Sequence, residues 1–571
     1  MRNPSTGDGR GRAGASRRLP AASRVLLWLG PLLFLGAFLY VPLVRILLHL
    51  ITPESLSLRN AGIAAGVLAF TTWQALLSTL LTLVVGLPAA FLLYRFRFPG
   101  GAALRLLIAI PFMLPTVVVA AGFNALLGTH GWINLGLMQA LSLGSPPIPF
   151  VGTFGAILVA HIFYNTTIVV RIVGAVLASL DPRLEAAARS LGASQFQVLL
   201  RVILPMIAQP LLGAALLVFL FDFMSFGVVL LLGAGSYATL EVEIFVRVIR
   251  VPNLPLAALL SLTQLIATLA VLWLHGRVSR RESQFRPRTD NTARPVPRPL
   301  AGRLLVIVYS ILLFVFFSAP LLSLPLRSVW RLDPERGERG PAQTGLTTAY
   351  YQELLVNRRG SAFYVPPIRA IFNSIAYAVV TAVVSLLLGI PAAVALTQAS
   401  RWGRAAGALL MLSLGTSSLT LGLGLIMTYG RWVSSPWVVP IAHTLVALPF
   451  VVRTLQPALA SIPARLRDAA ASLGASPFES WKTVDWPILG RATAAAAGFA
   501  LTISLGEFGA ALLITRPDFP TVPVAIYRFL GQPGGLNYGQ AMAMATILMG
   551  LTAAGMLVVE RLRLPRNAQP I

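Results

Sequence analysis

Apolar positions in this chain neither alternate nor recur every third or fourth residue; they come in long unbroken blocks. Twelve blocks fall at about 26–48, 69–94, 104–128, 151–178, 205–233, 254–276, 303–326, 371–398, 405–430, 436–460, 490–514 and 538–560. Each reaches the length of roughly 20 residues that carries a helix across the hydrocarbon core of a bilayer. Helices are the predicted form, because hydrocarbon offers backbone amides no external partner. The blocks are also too long and too continuously apolar for barrel strands. The predicted fold class is therefore all-α, a polytopic membrane protein of about 12 transmembrane helices.

Polar stretches punctuate the blocks. The arginine-rich start "MRNPSTGDGRGRAGASRRLPAASR" predicts a disordered cytoplasmic tail over residues 1–25. The apolar run behind it is some two dozen residues long, beyond the roughly 7–15 of a signal-peptide core, so a retained first span is expected. Residues 278–302 are rich in Pro and Arg without apolar periodicity and read as a flexible cytoplasmic linker. That linker separates a first six-span unit, 26–277, from a second, 303–562, with 563–571 as a cytoplasmic tail.

Composition agrees with this picture. The chain is 56% hydrophobic and 11% charged, against roughly 25% charged in soluble domains. Its net charge of +26 is almost all arginine, Lys482 being the only lysine. The arginines sit in short loops between apolar blocks, as topology determinants do, which argues against nucleic acid as a partner and for a lipid bilayer. The arginine-rich loops fall on one side, the cytoplasmic side by the positive-inside tendency, with both termini there. Loop 129–150 carries no Lys or Arg and falls outside, while loop 327–370 disagrees, its arginines being offset by Asp333, Glu335, Glu338 and Glu353. The absence of cysteine excludes disulfides, thiolate metal sites and cysteine nucleophiles. No GxxxxGK[ST] phosphate loop and no HExxH occur, so neither ATP hydrolysis nor zinc hydrolase chemistry is expected of this chain.

One short polar phrase occurs twice, "RLEAAARSLGAS" at 183–194 and "RLRDAAASLGAS" at 465–476. The match extends at a constant offset of 282, aligning His161 with His443, Arg171 with Arg453, Pro205 with Pro487, Phe226-Gly227 with Phe508-Gly509 and Thr239 with Thr521. Upstream, "GLPAAFLLYR" resembles "GIPAAVALTQ" at offset 303. These blocks imply an internal duplication. With an even number of spans in each copy, the repeats are parallel, related by an axis along the membrane normal, and a pathway between them is expected. Within each copy an alanine-rich turn favours helix, the following glycine suits its C-terminal cap, and Ser194 or Ser476 can cap a second helix. The result is a helix–turn–helix knob, with both knobs facing the cytoplasm.

This phrase resembles the cytoplasmic EAA loop of permeases of ATP-binding-cassette importers. In the second copy Asp468 holds the acidic position, followed by Ala469, Ala470, Gly474, Ala475 and Ser476, with Trp486-Pro487 closing the motif. In the first copy Ala186 stands at that position and the acid is Glu185, followed by Ala187, Ala188, Gly192, Ala193, Ser194 and an intact Leu204-Pro205. The fused two-copy arrangement, with "SLGEFGAALLITRPDFPTVPVAIYRFL" near the end, is most similar to iron(III)- and thiamine-type permeases. The resemblance implies the type I importer permease fold in a bacterial inner membrane. It further implies that the two loops dock two ATP-binding subunits, and that an extracytoplasmic solute-binding protein delivers iron(III) or thiamine. It implies a transport subunit, not an enzyme, with no cofactor and no metal of its own.

Intramembrane ionisable groups are candidates for the pathway. Asp222 and Glu507 lie in equivalent spans and would favour a cationic solute, unless hydrogen bonds neutralise them. His161 and His443 are read chiefly as buried hydrogen-bonding residues, and Arg171 and Arg453 as snorkelling at the cytoplasmic ends of their spans. The segments "PFMLPTVVVAAGF" and "LSLGTSSLTLGLG" are expected to bend their helices around the pathway. A proton-coupled secondary transporter, also built from twelve spans in two parallel halves, is the alternative; it would use these same acids and histidines and need no docking loops.

Overall fold

In the computed structural model, residues 21–50, 57–279, 294–295, 300–331, 345–356, 365–398 and 401–563 are described. Most of the tail at 1–25, most of the linker at 278–302, the centre of loop 327–370 and nearly all of the terminal tail lie outside these residues. The chain folds as long apolar helices in two matching sets. The first set is α1 (Val25–His49), α2 (Leu58–Arg95), α3 (Gly101–Ala109), α4 (Thr116–Leu127), α5 (Phe154–Ser179), α6 (Pro182–Ser190), α7 (Leu204–Phe223), α8 (Gly227–Leu232), α9 (Leu240–Phe245) and α10 (Leu254–Ser279). The second set repeats this order as α11 (Leu300–Val329), α12 (Ile368–Thr397), α13 (Arg401–Gly415), α14 (Ser418–Tyr429) and α15 (Val438–Ala460). It continues with α16 (Ala464–Ser472), α17 (Trp486–Gly506), α18 (Gly509–Ile514), α19 (Val522–Leu530) and α20 (Gly535–Arg563). Strand content among the described residues is confined to two-residue bridges.

Among the described residues eleven helices are long and apolar enough to cross a membrane, and the bent pair α13 and α14, counted as one span, makes twelve. The third crossing of each set, expected as one helix at 104–128 and at 405–430, is interrupted in both. Between α3 and α4 the chain passes through a short turn at Pro111–Met113, and Pro115 precedes α4. Between α13 and α14 the axis bends by 100°, and Ser417 caps the new N-terminus by accepting the amides of Leu419 (3.2 Å) and Thr420 (3.4 Å). Each interrupted pair still counts as one crossing. Arg95, at the end of α2, pairs with Glu185 on the knob that follows α5, so α2 and α5 end on the same face. The chain between them must therefore cross once.

Small residues let the helices of each half approach closely. A Cβ on Gly86 of α2 would meet Val169 of α5 at 2.8 Å, and one on Gly389 of α12 would meet Val451 of α15 at 2.6 Å. These two contacts are the same contact in the two repeats.

The halves are joined by their first helices, which cross over. α1 packs on α12 and α14 of the second half, and α11 packs on α3 and α4 of the first. A Cβ on Gly424 would lie 2.8 Å from Pro42 of α1; one on Gly122 would lie 2.7 Å from the Pro320 carbonyl of α11. Tyr429 Oη donates to the Ala37 carbonyl (2.7 Å), and Ser323 Oγ to that of Gly122 (3.0 Å). Phe163 of α5 packs against Phe316 and Phe317 of α11.

Gly424→Leu is expected to force α1 off α14 at a cost of about 1–3 kcal/mol, the usual range for overpacking. It should lower the aggregation temperature of the detergent-solubilised protein. Gly62→Leu, on an open face of α2 where a Cβ meets nothing, should leave that temperature unchanged.

Candidate functional site

The two polar phrases fold alike. In the first knob, Gly192 adopts φ +84° and in the second Gly474 adopts φ +86°, the left-handed region where a side chain is strained. A Cβ would meet no neighbour at either position, so glycine is required by backbone conformation rather than by space. The turn is a Schellman motif in both knobs. Gly192 and Ala193 amides donate to Arg189 and Ala188 carbonyls (2.9 and 3.1 Å), and those of Gly474 and Ala475 to Ala471 and Ala470 (3.0 Å each). A reciprocal capping box follows. The Ser194 and Gln197 side chains exchange bonds with each other's amides (2.9 and 3.2 Å), as do those of Ser476 and Glu479 (2.7 and 3.2 Å). Ala187, Ala469, Ser194 and Ser476 are exposed, and Ala188, Ala193, Ala470 and Ala475 half-buried. Pro205 and Pro487 sit just after the π-helical turns Leu199–Ile203 and Trp481–Asp485 that lead into α7 and α17, where the ladder of hydrogen bonds is already interrupted.

The knobs also present apolar side chains to solvent at equivalent positions. Leu191 and Leu473 are each 89% exposed, Phe196 is 67% and Phe478 70%.

The acids of the two phrases face opposite ways. Glu185 turns inward, is buried, and pairs with the buried Arg95 at the end of α2, whereas Asp468 is exposed. At the position equivalent to Glu185 stands Arg467, which reaches Asp485 at the root of α17 (2.8 Å). One knob is thus tied by an ion pair back to α2 of its half, and the other forward to α17, the helix that follows that knob.

Within the membrane interior, His161 and Asp222 are brought together, as are His443 and Glu507. His161 Nδ1 lies 3.3 Å from Asp222 and its Nε2 2.8 Å from Ser225 Oγ. His443 Nδ1 lies 2.7 Å from Ser504 Oγ and its Nε2 3.3 Å from Glu507. Ser504 is the equivalent of Asp222, and Glu507 of Ser225, so each histidine bridges one acid and one serine with the two positions exchanged. All four candidate pathway residues are buried. Asp222 also accepts from Asn165 (2.7 Å), and Glu507 from the amides of Ala510 (3.0 Å) and Ala511 (2.9 Å). Every one of these bonds stays inside its own half.

Two features escaped the reading of the sequence. One is a polar stripe on α2, Thr71, Gln74, Ser78 and Thr82, repeated on α12 as Ser374, Tyr377, Thr381 and Ser385, all buried. Gln74 and Ser78 lie 2.9 and 3.0 Å from His161 Nδ1. Thr71 accepts the Leu240 amide and Ser374 the Val522 amide, both at 2.9 Å, capping α9 and α19. Helical spacing of polar residues inside an apolar block is the signal that reveals such a stripe. The other is Glu241, buried on α9, which accepts from Gln264 (2.6 Å) and, across the interface, from Ser417 Oγ (2.7 Å). Among the described residues no group of three or more His, Asp or Glu is arranged to hold a metal.

The sequence profile of the family described as "Binding-protein-dependent transport system inner membrane component" matches residues 82–284, which run from α2 through both knob helices to α10. Over those residues the chain carries the inner-membrane permease domain of binding-protein-dependent, ATP-binding-cassette importers. Its likeness to fused permeases runs through both repeats. It is 29% identical over 510 residues to the thiamine transport system permease protein ThiP of Escherichia coli, covering 87% of this chain and 88% of that one. To the protein of the same name in Brucella abortus it is also 29% identical, over 503 residues and 86% of each chain. To a probable ABC transporter permease of Sinorhizobium fredii, y4fN, it is 26% identical over 96% of this chain and 98% of that one. As a permease it is a multi-pass inner-membrane component, a transport subunit rather than an enzyme, and its family works with ATPase and solute-binding partners. The proton-coupled alternative finds no support in the fold or in these relatives.

The ion pairs on the knobs differ in burial, and their loss should differ accordingly. Arg95→Ala breaks a buried ion pair, at a cost of about 3–5 kcal/mol. In the other knob Arg467 is 42% exposed, and Arg467→Ala should cost less. Thermal aggregation of the two purified variants, compared side by side, checks the order.

Proposed function

We propose that this chain forms the translocation pathway of a thiamine importer, with its two knobs docked in two ATP-binding subunits and an extracytoplasmic binding protein delivering the solute. The observation that carries the docking is the matched pair of exposed apolar patches, Leu191 with Phe196 and Leu473 with Phe478, on turns of identical backbone. Water-exposed leucine and phenylalanine on a rigid knob are what a hydrophobic cleft on a partner accepts. Two knobs require two such clefts. Gly192, Gly474 and the capping boxes hold the patches in shape, with Ala187, Ala188, Ala193, Ala469, Ala470 and Ala475 keeping the surface small enough to enter a groove. Asp468 is free to meet a basic group on its ATPase; Glu185 instead transmits force through Arg95 to α2.

The knob face is the cytoplasmic one on this reading, since the arginine-rich loops lie there, and both termini share it. The units 26–277 and 303–562, with α1 and α11 exchanged between them, then act as the two moving halves. ATP-driven closure of the ATPase subunits draws the knobs together and tilts the halves, alternating access to the space between them. His161, Asp222, His443 and Glu507 serve this motion as braces that bind α7 to α5 and α17 to α15, keeping each half rigid. Thiamine is favoured as the solute by the names of the relatives; neither they nor the fold offers comparable support for iron(III).

Replacing Leu191 and Leu473 together by Glu should abolish co-purification with the ATP-binding subunits and lower thiamine uptake more than tenfold, with membrane insertion unchanged. Uptake at the unaltered rate would remove the knobs from the coupling path. Replacing Gly192 or Gly474 by Val should uncouple ATP hydrolysis from uptake in the same assay, through the left-handed φ that valine resists.

A further inference from the structure

Four aromatic rings cross the interface between the halves in a row: Phe245, Phe226, Phe508 and Tyr527. Their geometry reads the same from either end. Phe245 and Phe226 lie 5.7 Å apart at 58°, Phe226 and Phe508 stack at 5.4 Å and 26°, and Phe508 and Tyr527 lie 5.7 Å apart at 59°. Phe226 is the repeat equivalent of Phe508, and Phe245 of Tyr527. Two equivalent residues that touch each other must do so on the axis that relates the repeats. A solute passing between the halves along that axis therefore has to part Phe226 from Phe508.

The central rings are held from behind. His161 lies 2.8 Å from Ser225 and His443 3.3 Å from Glu507, the residues immediately before Phe226 and Phe508. The glycines immediately after them press on the first residues of α4 and α14, just past the breaks: a Cβ on Gly227 would lie 2.4 Å from Thr116 Oγ1, and one on Gly509 2.4 Å from Ser418 Oγ. Neither ring's backbone can retreat alone, so the pair separates only as the halves separate, and the Glu241–Ser417 bond across the interface breaks with it.

Parting the rings exposes two apolar π-faces, 7% and 3% accessible when closed, and gives up their offset stack. A flat aromatic ring entering between them restores both the burial and the stacking. A hydrated ion restores neither, and an aliphatic solute restores the burial without the stack. We infer that Phe226 and Phe508 are specificity-determining residues, which admit a planar aromatic solute by exchanging their mutual stack for a sandwich around its ring. This deepens, and rests on, the reading that the solute is thiamine, whose two flat heterocycles fit that chemistry.

The test uses the full chain with its partner subunits in cells that lack other thiamine uptake, with labelled thiamine as the probe. Phe226→Leu and Phe508→Leu keep the apolar volume and remove the ring. Each should raise the KM for uptake roughly 2- to 10-fold, the range set by one aromatic pair, and the double variant should raise it further. Phe226→Tyr and Phe508→Tyr, which keep the ring, should return KM to within about twofold of the unaltered chain. Leucine variants that keep the original KM, or that lose only maximal rate without rescue by tyrosine, would overturn the inference by reducing the rings to packing. If the unaltered chain takes up no thiamine, the substrate reading falls and the inference falls with it.

Discussion

A polar side chain inside this protein must find its partner inside the protein, because hydrocarbon supplies none and an unpaired group costs several kcal/mol. The chain meets that constraint largely one half at a time. The stripe Thr71, Gln74, Ser78 on α2 is bonded to α5 and α9 of the same half, and Ser374 and Thr381 on α12 are bonded within theirs. Each histidine bridges an acid and a serine on the next helix of its own half. With these groups paired inside their own halves, the surface left to meet the other half on the axis is mainly aromatic, and the rings can part and meet again while the Glu241–Ser417 bond beside them breaks and re-forms. Stiff halves and a separable seam are what alternating access requires.

The first helices work differently. α1 and α11 leave their own halves to lie against the other, and the bonds of Tyr429 to Ala37 and Ser323 to Gly122 run between halves. Tyr40 extends this by donating to the Leu409 carbonyl of α13 (2.9 Å). Crossed helices keep the halves in one body while the axis opens. They also explain why glycine recurs at Gly122 and Gly424, where a proline from the opposite half rests on the backbone.

Duplication set the frame, and later divergence is concentrated where the two copies need not agree. The acid and serine beside each histidine have traded places, which preserves the bridge and changes only the order. The knobs share a turn, a cap and an exposed leucine, yet one is anchored by Arg95–Glu185 and the other by Arg467–Asp485. Glu241 has Pro523 as its counterpart, so the carboxylate bond across the seam exists on one side only. Much of this frame was legible in the sequence: block length gave the crossings, and the offset of 282 gave the repeat and the knobs. The interruptions at Pro111–Pro115 and Gly415–Ser417 were signalled by proline and glycine, but mean apolarity is blind to a bend. The crossing-over of α1 was illegible, since an apolar helix in a bilayer carries little trace of which neighbour it meets. Asp222 and Glu507 stood out as charges in apolar spans, but their histidine partners lie some 60 residues away in sequence, and only the packing of α5 on α7 and of α15 on α17 brings them together. The aromatic ladder was hidden for the same reason: phenylalanine in a span looks like any other apolar residue until its equivalent is seen to touch it.

The central claim, that the halves rock about a seam with the knobs at one end and the far loops at the other, is tested most directly by two distances in one assembly. The chain has no cysteine, so spin labels can be placed singly at equivalent exposed positions: Arg201→Cys with Thr483→Cys beside the knobs, and Ser236→Cys with Asp518→Cys beyond α8 and α18. With the ATP-binding and solute-binding partners present, ATP should shorten the first distance and lengthen the second. Distances that move in the same direction, or an outer distance that stays fixed while the knobs close, would contradict the account.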